Sequence, residues 1–512
     1  MLRIGGRRTI VDLFEENVDR VPERTFVRYA GTDFSYGDMG HLSAQLAELL
    51  HQAGMGYGSR VAIAITNRPA FLVAFLATLR CGSTAVPLNT LYKADEVRYA
   101  LEHGGCQAIL TEETLHETVS EACKRLDNEI AVLVAGTGEE GTFELDTTRN
   151  GHSREPGRPG QARPEDLAGI FYTSGTTARP KGVMISHENL MYSAEVTIKS
   201  LGLTPKDVPL LAFPLFHVNS LFYGVLTAIV LQSAVGLVSG FSVSGYWPDA
   251  VQAGATWTPG ITGPLAALLQ QQDKTDAESG HSMRFAVGGM FTSLEQIQDF
   301  GSRFGVRLIQ GWSMTETVSL GTLHPVGRPT PIPLVTGIGY PTLGQEIRLI
   351  RDDGSEAGVG EPGEILYRSP SPFGGYLNDE QATGEAFTED GWFRTGDVAC
   401  MDENGYLAFM DRKKEMIKTK GENVAAAEVE RVVNEHPAVL ESAAIGVPDQ
   451  DGLRGERIEA YVVKSAEAEV DGEEIMEWVG RQLADFKVPG AIHFIDQLPK
   501  TPLGKIQRQK LR

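Results

Sequence analysis

Short apolar strands alternate with helices along the first 145 residues, and this pattern limits the fold more than any other feature. Apolar runs predict strands at residues 61–65, 84–88, 108–110 and 130–135. Between them, apolar residues recur every three or four positions in residues 38–53, and residues 69–79 also predict a helix. Strands that alternate with helices form parallel sheets covered by helices. We therefore predict an α/β body.

The rest of the chain predicts a β-rich section and a second, smaller domain. With 512 residues the chain has room for two or three domains. Residues 136–164 are polar and rich in glycine, which indicates an exposed connector, and hairpin-like strands follow residue 325. Helices at 424–436 and 473–483 and strands at 443–447, 458–463 and 491–495 indicate an α+β module. We predict a body of residues 1–411 and a small C-terminal domain of residues 412–512.

Composition and charge exclude several classes of protein. The formal net charge of -21 argues against non-specific binding to nucleic acid. The longest apolar run, residues 221–238, is interrupted by polar residues and predicts buried core rather than a membrane span. The first residues lack a secretory signal pattern, so a cytoplasmic location is expected. The cysteines show neither zinc nor disulfide spacing, and reduced thiols are expected at Cys81, Cys106, Cys123 and Cys400.

A loop rich in glycine and hydroxyl side chains lies between a strand at residues 170–172 and a helix expected at Asn189. Its backbone N–H groups, hydroxyls and single lysine suit a polyphosphate. The spacing is not that of a Walker A loop. Taken alone, the same residues are equally consistent with a flexible surface loop. The candidate phosphate ligands are Thr173, Ser174, Gly175, Thr176, Thr177 and Lys181.

Four further motifs follow this loop in a fixed order. They are Gln310-Gly311-Trp312-Ser313-Met314-Thr315-Glu316, Gly391-Trp392-Phe393-Arg394-Thr395-Gly396-Asp397, Asp411-Arg412-Lys413-Lys414 with Gly421-Glu422-Asn423-Val424, and Pro499-Lys500-Thr501-Pro502-Leu503-Gly504-Lys505. Together with the loop, they resemble the adenylate-forming superfamily of acyl-CoA synthetases, luciferases and peptide-synthetase adenylation domains. The resemblance covers essentially the whole chain.

The resemblance implies a site for ATP or AMP and Mg²⁺. The glycine-rich loop and Lys181 would hold the β- and γ-phosphates, Thr315 the α-phosphate and Glu316 the Mg²⁺ ion. Asp397 would accept the ribose hydroxyls with help from Arg412, and Trp312 would stack on the adenine. The remaining expected nucleotide contacts are Gly288, Gly289, Met290, Gln310, Gly311 and Ser313.

The resemblance also implies a mobile C-terminal lid and a site for coenzyme A. Lys505 would act as the catalytic lysine of adenylation, although its basic surroundings are also typical of a solvated tail. Lys414 would be the hinge about which the lid rotates between half-reactions. After rotation, Lys418, Gly421 and Glu422 would line the pantetheine tunnel.

The acyl pocket predicted by the resemblance is apolar. His217, in a Phe-His-Val-Asn segment, matches a gate residue of the family, but a histidine among apolar residues is just as often a core residue. The other expected lining residues are Trp257, Thr258, Pro259 and Met290. We therefore expect an apolar or bulky carboxylic acid as the substrate.

The sequence departs from the family pattern at three places around the nucleotide. Met290 and Phe291 replace small residues, Trp312-Ser313 replaces Tyr-Gly, and Leu503 replaces a hydroxyl residue near Lys505. The main hypothesis is an AMP-forming acid–thiol ligase that joins a carboxylic acid to CoA. Alternatives are an enzyme restricted to the thioesterification half-reaction, a carrier-protein-loading enzyme and a non-catalytic relic. A homodimer is the base-rate expectation for assembly.

Overall fold

The computed structural model describes residues 8–136, 143–145, 162–173, 180–289, 294–326, 337–413, 415–419, 422–448, 456–465, 469–483, 485–500 and 506–511. The chain divides into two compact units. Unit 1 contains Met1–Pro331, Gly339–Glu346 and Arg368–Gly391. Unit 2 contains Ile332–Ile338, Ile347–Tyr367 and Trp392–Arg512. The predicted division between residues 411 and 412 stays a prediction.

The described residues form helices and strands in mixed order, and the predicted α/β class is confirmed. The α-helices are α1 Ile10–Arg20, α2 Tyr36–Gln52, α3 Pro69–Arg80, α4 Ala94–Gly104, α5 Glu113–Lys124, α6 His187–Leu201, α7 Leu226–Leu231, α8 Tyr246–Ala253, α9 Gly263–Gln271, α10 Ala277–Gly280, α11 Leu294–Phe304, α12 Glu380–Ala386, α13 Ala426–Asn434 and α14 Gly472–Gly480. A π-helix spans Asn219–Val225, and 3₁₀ turns lie at Thr315–Thr317, Asp485–Lys487 and Arg508–Lys510.

The strands of unit 1 build two complete sheets and part of a third. In chain order the strands of the described residues are β1 Thr25–Tyr29, β2 Thr32–Ser35, β3 Arg60–Ala64, β4 Thr84–Pro87, β5 Ala108–Glu112, β6 Ala131–Ala135, β7 Phe143–Leu145, β8 Leu167–Thr173, β9 Lys181–Ser186, β10 Leu210–Leu211, β11 Val235–Leu237, β12 Trp257–Thr262, β13 Phe285–Gly289, β14 Arg307–Trp312, β15 Thr322–Leu323, β16 Gly337–Pro341, β17 Glu346–Ile350, β18 Gly363–Arg368, β19 Phe393–Met401, β20 Leu407–Arg412, β21 Met416–Thr419, β22 Glu422–Ala425, β23 Val439–Pro448, β24 Glu456–Lys464 and β25 Ala491–Phe494. One sheet has the order β7-β6-β5-β3-β4-β8-β9 and another the order β10-β11-β1-β2.

The seven-stranded sheet is parallel except at its two edges. Strands β3 to β6 and β8 pair in parallel, as the alternation of strands and helices predicts. The edge strands β7 and β9 run antiparallel to their neighbours. Helices α4 and α5 contribute buried apolar side chains to the core on this sheet, among them Val97, Leu101 and Val119.

Three parallel strands, β12, β13 and β14, lie side by side in unit 1. Their packing partners include Trp247, Phe300 and Phe304, which form a second buried cluster. Since parallel strands end at the same edge, their last residues, Thr262, Gly289 and Trp312, lie at one edge of the sheet. The carboxyl edge of parallel strands is where ligands of open α/β sheets bind.

Unit 2 contains strands of three sheets and has its own core. Strands β20-β19-β18-β17 are neighbours in one sheet, β21 pairs with β22, and β23-β24-β25 form a three-stranded sheet. The apolar face of α13 packs on these strands through Val429, Val432 and Val433, none of which is exposed to solvent. This packing accounts for the α+β character that the sequence predicts for the last part of the chain.

Three local predictions are wrong. The phosphate loop does not lead directly into a helix at Asn189, because the strand β9 intervenes and α6 begins at His187. The expected helix over residues 424–436 begins only at Ala426, since Val424 pairs with Ile417 in a hairpin. In the same hairpin Lys418 and Asn423 are paired strand residues rather than loop residues.

The apolar run of residues 221–238 is buried, as predicted. It contributes to the π-helix, to α7 and to β11, and Leu221, Phe222 and Val235 have no exposed surface. Within the described residues, no helix combines the length and the apolar character needed to cross a bilayer. The four cysteines are free thiols, and Cys106 and Cys123 are buried.

His187 at the start of α6 makes the stability of unit 1 sensitive to acid. Burial lowers the pKa of its imidazole to about 4, with Asp166 and Asp12 opposing the shift. The unfolded chain takes up a proton near pH 6.5, whereas the folded chain does so only near pH 4. The free energy of unfolding should therefore fall between these pH values, by about 3 kcal/mol in total.

The test compares the wild type with His187→Leu in urea unfolding at pH 7 and pH 4.5. Between the two pH values the variant should lose about 2 kcal/mol less than the wild type. His41→Leu, at an exposed position of α2, is the matched control and should lose as much as the wild type. Equal losses in all three proteins would contradict this role of His187.

Candidate active site

Two of the predicted phosphate ligands lie where β8 ends and β9 begins. Thr173 is paired with Lys181, and the Thr173 hydroxyl donates to the Lys181 carbonyl over 3.5 Å. Both side chains are partly exposed. Ser174, Gly175, Thr176 and Thr177, which connect the two strands, lie outside the described residues. The hairpin therefore places one hydroxyl and one cation on either side of the predicted loop.

The strand β13 has no space for a side chain at Gly288, at the predicted adenine edge. A Cβ atom on Gly288 would lie 1.6 Å from the Ile261 carbonyl oxygen, so only glycine fits. Gly288 is paired with Gln310, whose side chain is buried. Gly289 is half-buried, and Met290 lies outside the described residues. The backbones of β12 and β13 therefore approach each other closely at Ile261 and Gly288.

Trp312 ends β14 with its ring against the backbone. It is 7 % exposed, and a Cβ atom on Gly321 would lie 2.5 Å from its Cζ3 atom. Gly311, beside it, is paired with Leu323. Ser313 is exposed. Burial raises the pKa of Tyr223, in the π-helix, to about 12. The hydroxyl of Tyr223 therefore stays protonated at neutral pH.

Thr315 and Glu316 are held by a short, strained turn. The Thr317 N–H donates to the Met314 carbonyl over 3.2 Å, which closes the 3₁₀ turn Thr315–Thr317, and Thr317 Oγ1 accepts from the Met314 N–H at 3.1 Å. The next residue, Val318, has a φ of 65°. The Ser319 N–H donates to the Thr317 carbonyl over 2.6 Å across it, which is the hydrogen bond of a γ-turn. Positive φ at a β-branched residue is costly, and such strain is typical of functional sites.

Glu316, Tyr376 and Lys181 form a connected group in unit 1. The Tyr376 hydroxyl donates to Glu316 Oε1 over 3.0 Å, and the Glu316 side chain is mostly buried. Lys181 Nζ lies 4.6 Å from the centre of the Tyr376 ring. Lys181, which is predicted to bind phosphate, and Glu316, which is predicted to bind the metal, thus contact the same tyrosine.

The chemistry of these residues fits Mg²⁺. The ion prefers oxygen ligands and usually binds through one or two carboxylates together with substrate phosphates. Glu316 supplies a carboxylate that shares the Tyr376 contact with Lys181 of β9, and Thr315 supplies a hydroxyl next to it. Among the described residues, no cluster of three or more His, Cys, Asp or Glu side chains could hold a metal without such phosphates.

The segment with His217 is fixed by Asn67. The Asn67 side chain donates to the Phe213 carbonyl over 2.7 Å and accepts from the Leu215 N–H over 2.8 Å. Burial lowers the pKa of His217, so its imidazole is neutral at pH 7. The π-helix begins two residues later at Asn219. Single π-turns inside helices often mark functional sites.

The other predicted pocket residues lie in the strand β12. Trp257, Thr258 and Pro259 are all buried. The Trp257 ring centre lies 5.9 Å from that of Phe285, and the Thr258 hydroxyl donates to the Leu210 carbonyl over 2.9 Å. These contacts are those of core residues. That these side chains line an acyl pocket stays a prediction.

In unit 2, Asp397 and Arg412 lie opposite each other on β19 and β20. Arg412 Nε is 3.0 Å from Asp397 Oδ1, and the carboxylate side chain is only 3 % exposed. Gly396 adopts a φ of 69°, and its carbonyl accepts from the Lys413 N–H. The two predicted ribose ligands are therefore brought together by strand pairing.

The last predicted residues are only partly described. Lys418 and Glu422 are strand residues on either side of the tip of the β21–β22 hairpin. Lys414, Gly421 and Lys505 lie outside the described residues. The segment that contains Lys505 is flanked by a β-bridge between Lys500 and Ile506. The roles of these residues in hinge motion, CoA binding and catalysis stay predictions.

Two family models match the chain. The model of the AMP-binding enzymes matches residues 14–377, and that of the AMP-binding enzyme C-terminal domain matches residues 428–505. The chain belongs to the AMP-binding enzymes. Sulfoacetate–CoA ligase of Cupriavidus necator is 32 % identical over 482 residues, which are 94 % of this chain and 92 % of the relative. Within the family, the chain belongs to the branch of acyl-CoA synthetases, which are AMP-forming acid–thiol ligases.

Solved structures of AMP-binding enzymes have the same fold. ATP-bound MatB from Rhodopseudomonas palustris has a TM-score of 0.85 at 27 % identity, with 98 % of both chains covered. o-Succinylbenzoate CoA synthetase from Bacillus subtilis, solved with its acyl-adenylate intermediate, has a TM-score of 0.84 at 26 % identity over 99 % of both chains. Binding of ATP or AMP follows from membership of this family.

Sequence reasoning missed two residues that hold the site together. Tyr376 contacts both Glu316 and Lys181, and Asn67 fixes the segment before His217. Tyr376 follows the pair Gly374-Gly375, which was a visible sign of a tight backbone approach. Asn67 offered no comparable signal, because a single asparagine before a proline-capped helix is also typical of an ordinary turn.

Proposed function

We propose that this protein is an ATP-dependent acyl-CoA ligase. It converts a carboxylic acid and ATP into an acyl-adenylate and pyrophosphate, and then transfers the acyl group to the thiol of CoA with release of AMP. The observation that carries the proposal is the contact of Lys181 and Glu316 with one tyrosine, since it joins a cation to a carboxylate metal ligand. Such a pair suits a Mg²⁺-bound polyphosphate.

Each step has a physical reason. A carboxylate is a poor acyl donor, because its leaving group would be oxide, whereas AMP leaves readily. Attack of the carboxylate on the α-phosphorus needs the reactants to be aligned and the charge on the phosphates to be neutralised. Lys181 would bind the β- and γ-phosphates, and Thr315 the α-phosphate. When bound by Glu316, Mg²⁺ supplies further positive charge to the phosphate oxygens.

The residues of unit 2 support a role in nucleotide binding. Asp397 is a buried carboxylate, and such an acceptor suits the two hydroxyls of a ribose. Arg412 Nε lies 3.0 Å from its Oδ1 and would hold it in place. Lys505 would stabilise the developing charge during adenylation, and Lys418, Gly421 and Glu422 would contact the pantetheine of CoA.

The substrate is proposed to be an apolar or bulky carboxylic acid. Support comes from the neutral His217 and the aromatic residues near it, which offer no charge to a second anionic group. The relatives named above act on sulfoacetate and o-succinylbenzoate, which each carry two acidic groups but differ widely in size. The acid is therefore the first thing to determine.

The experiment is a screen of carboxylic acids with ATP, Mg²⁺ and CoA, in which mass spectrometry detects the acyl thioester. The set should include aromatic, branched and long-chain acids, with acetate and sulfoacetate as small controls. Thioester from at least one bulky acid, dependent on ATP, is the expected result. Absence of thioester from the whole set, in a protein that also fails to bind ATP, would contradict the proposal.

Adenylation should be tested as a separate step. The sequence has large side chains at Met290, Phe291 and Trp312, and these would slow the first half-reaction if they displace the nucleotide, since positional errors of about 1 Å can cost on the order of a hundredfold in rate. Exchange of labelled pyrophosphate into ATP measures this step with the active acid. Brisk exchange would exclude an enzyme restricted to thioesterification. Thioester formation from a supplied acyl-adenylate, without exchange, would support one.

A further inference from the structure

Tyr376 lies beside the start of β9 because its backbone is held from three sides. It forms an antiparallel bridge with Val183. Its N–H donates to Thr383 Oγ1 over 2.9 Å, and the N–H of Leu377 donates to the Gly182 carbonyl over 2.8 Å. These bonds fix the Cα atom of Tyr376 next to the strand that begins with Lys181.

The backbone before Tyr376 can take this path only because of its glycines. Gly375 has a φ of 92°, and a Cβ atom there would lie 2.7 Å from Thr383 Cγ2. Gly374 and Gly375 also exchange backbone hydrogen bonds with Met184 of β9, at 2.8 and 3.0 Å. The glycine pair thus brings the tyrosine against the hairpin.

The side chain of Tyr376 then makes two chemically different contacts. Its hydroxyl donates to Glu316 Oε1 over 3.0 Å, which restrains the rotation of the carboxylate. The face of its ring lies 4.6 Å from Lys181 Nζ, within the range of a cation–π interaction. The hydroxyl therefore contacts Glu316, the predicted metal ligand, and the ring contacts Lys181, the cation predicted to bind phosphate.

We propose that Tyr376 is a positioning residue that orients Glu316 for Mg²⁺ and Lys181 for the phosphates of ATP. The inference rests on the proposed function, because it assigns both ligands to a Mg²⁺–ATP complex. The inference goes further than the proposed function, because it assigns the orientation of Glu316 to the Tyr376 hydroxyl and that of Lys181 to the Tyr376 ring. The two effects are therefore separable by mutation.

A role of Tyr376 in packing alone predicts a different result for the Tyr376→Phe variant. The Tyr376 ring packs against Phe373, with ring centres 5.4 Å apart. If packing were its only role, Tyr376→Phe would keep that contact and would leave nucleotide binding unchanged. A positioning role predicts a selective loss of the Mg²⁺ effect in the same variant.

The experiment measures the dissociation constant of ATP by calorimetry, in excess Mg²⁺ and in EDTA, on the full-length protein. The ratio compared is the dissociation constant in EDTA divided by that in Mg²⁺. In Tyr376→Phe this ratio should fall about tenfold, because the carboxylate is no longer oriented. The affinity for ATP in EDTA should stay within about twofold of the wild type, since the ring under Lys181 remains. Tyr376→Leu should weaken ATP binding in both conditions.

The matched control is Tyr36→Phe, which removes a buried hydroxyl bonded to the Ala228 and Ser233 carbonyls elsewhere in unit 1. It should lower the melting temperature without changing the ratio. A double-mutant cycle that combines Tyr376→Phe with Glu316→Gln provides the second test. In that background Tyr376→Phe should have no further effect on the ratio, and a full tenfold effect there would overturn the inference.

The outcomes distinguish the two levels of the argument. If Mg²⁺ does not improve ATP binding to the wild type, the proposed function and this inference both fail. If Mg²⁺ improves binding to the wild type and to Tyr376→Phe by the same factor, the inference alone fails. A selective loss in Tyr376→Phe and none in Tyr36→Phe would support it.

Discussion

Lys181→Met should weaken ATP binding by about 10- to 100-fold and leave AMP binding within threefold of the wild type. Hydrogen bonds to charged groups contribute about 1.5–3 kcal/mol, which corresponds to that range of affinity. The selectivity follows from the proposed contact of Lys181 with the β- and γ-phosphates, which AMP lacks. Calorimetric titrations with ATP and AMP in the presence of Mg²⁺ measure both constants.

Methionine is the informative substitution at this position. It has nearly the length of lysine and keeps an apolar contact with the Tyr376 ring, so the hairpin loses a charge but little packing. Lys199→Met is the matched control, because Lys199 is a partly exposed lysine of α6 whose Nζ lies 3.5 Å from Glu195. It should bind both nucleotides like the wild type. Equal weakening of ATP and AMP in Lys181→Met would contradict the assignment to the terminal phosphates.

The sequence predicted the architecture because each element carries its own pattern. Strands β3 to β6 are apolar runs separated by helices, and this alone implies a parallel sheet. It failed at β9, where the motif ends in Lys181-Gly182-Val183 and looks like a loop. The strand exists because Val183 and Ile185 are buried on one face while the backbone pairs with β8.

The sequence predicts the residues of the candidate site but not the contacts between them. Motif order identified Lys181 and Glu316, and pairing of β19 with β20 explains why Asp397 and Arg412 meet. No local pattern joins Tyr376 to Glu316, which lies 60 positions earlier in the chain. Contacts of that range depend on how loops pack, and a single sequence carries no signal for them.

Arg508 shows the same limit in unit 2, because the basic residues after Lys505 are typical of a solvated tail. Instead, the Arg508 side chain is only 15 % exposed. Its Nη1 lies 2.7 Å from Glu415 Oε2, and its Nε and Nη2 donate to Glu430 Oε1 over 3.1 and 2.8 Å. Glu430 Oε1 also accepts from the Ala444 N–H over 2.7 Å. The pair thus ties the end of the chain to α13 and β23.

Arg508→Met should destabilise unit 2 by about 3–5 kcal/mol. The loss is large because removing one partner leaves a buried carboxylate without its counter-ion. Hydrogen exchange of the amides in β23 and β24 measures the free energy of opening, and the Ala444 amide reports on the bond to Glu430 itself. Arg481→Met is the matched control, since Arg481 forms an exposed i,i+4 pair with Glu477 and should lose at most about 0.5 kcal/mol.

The double variant Arg508→Met with Glu430→Gln tests the physical cause of this loss. Glutamine is neutral and keeps an oxygen for the Ala444 N–H, so it removes the uncompensated charge without leaving that donor unpaired. If the buried charge causes the instability, the double variant should be more stable than Arg508→Met by about 1–3 kcal/mol. If both are equally unstable, the loss arises from the packing of the arginine side chain, and the charge explanation is wrong.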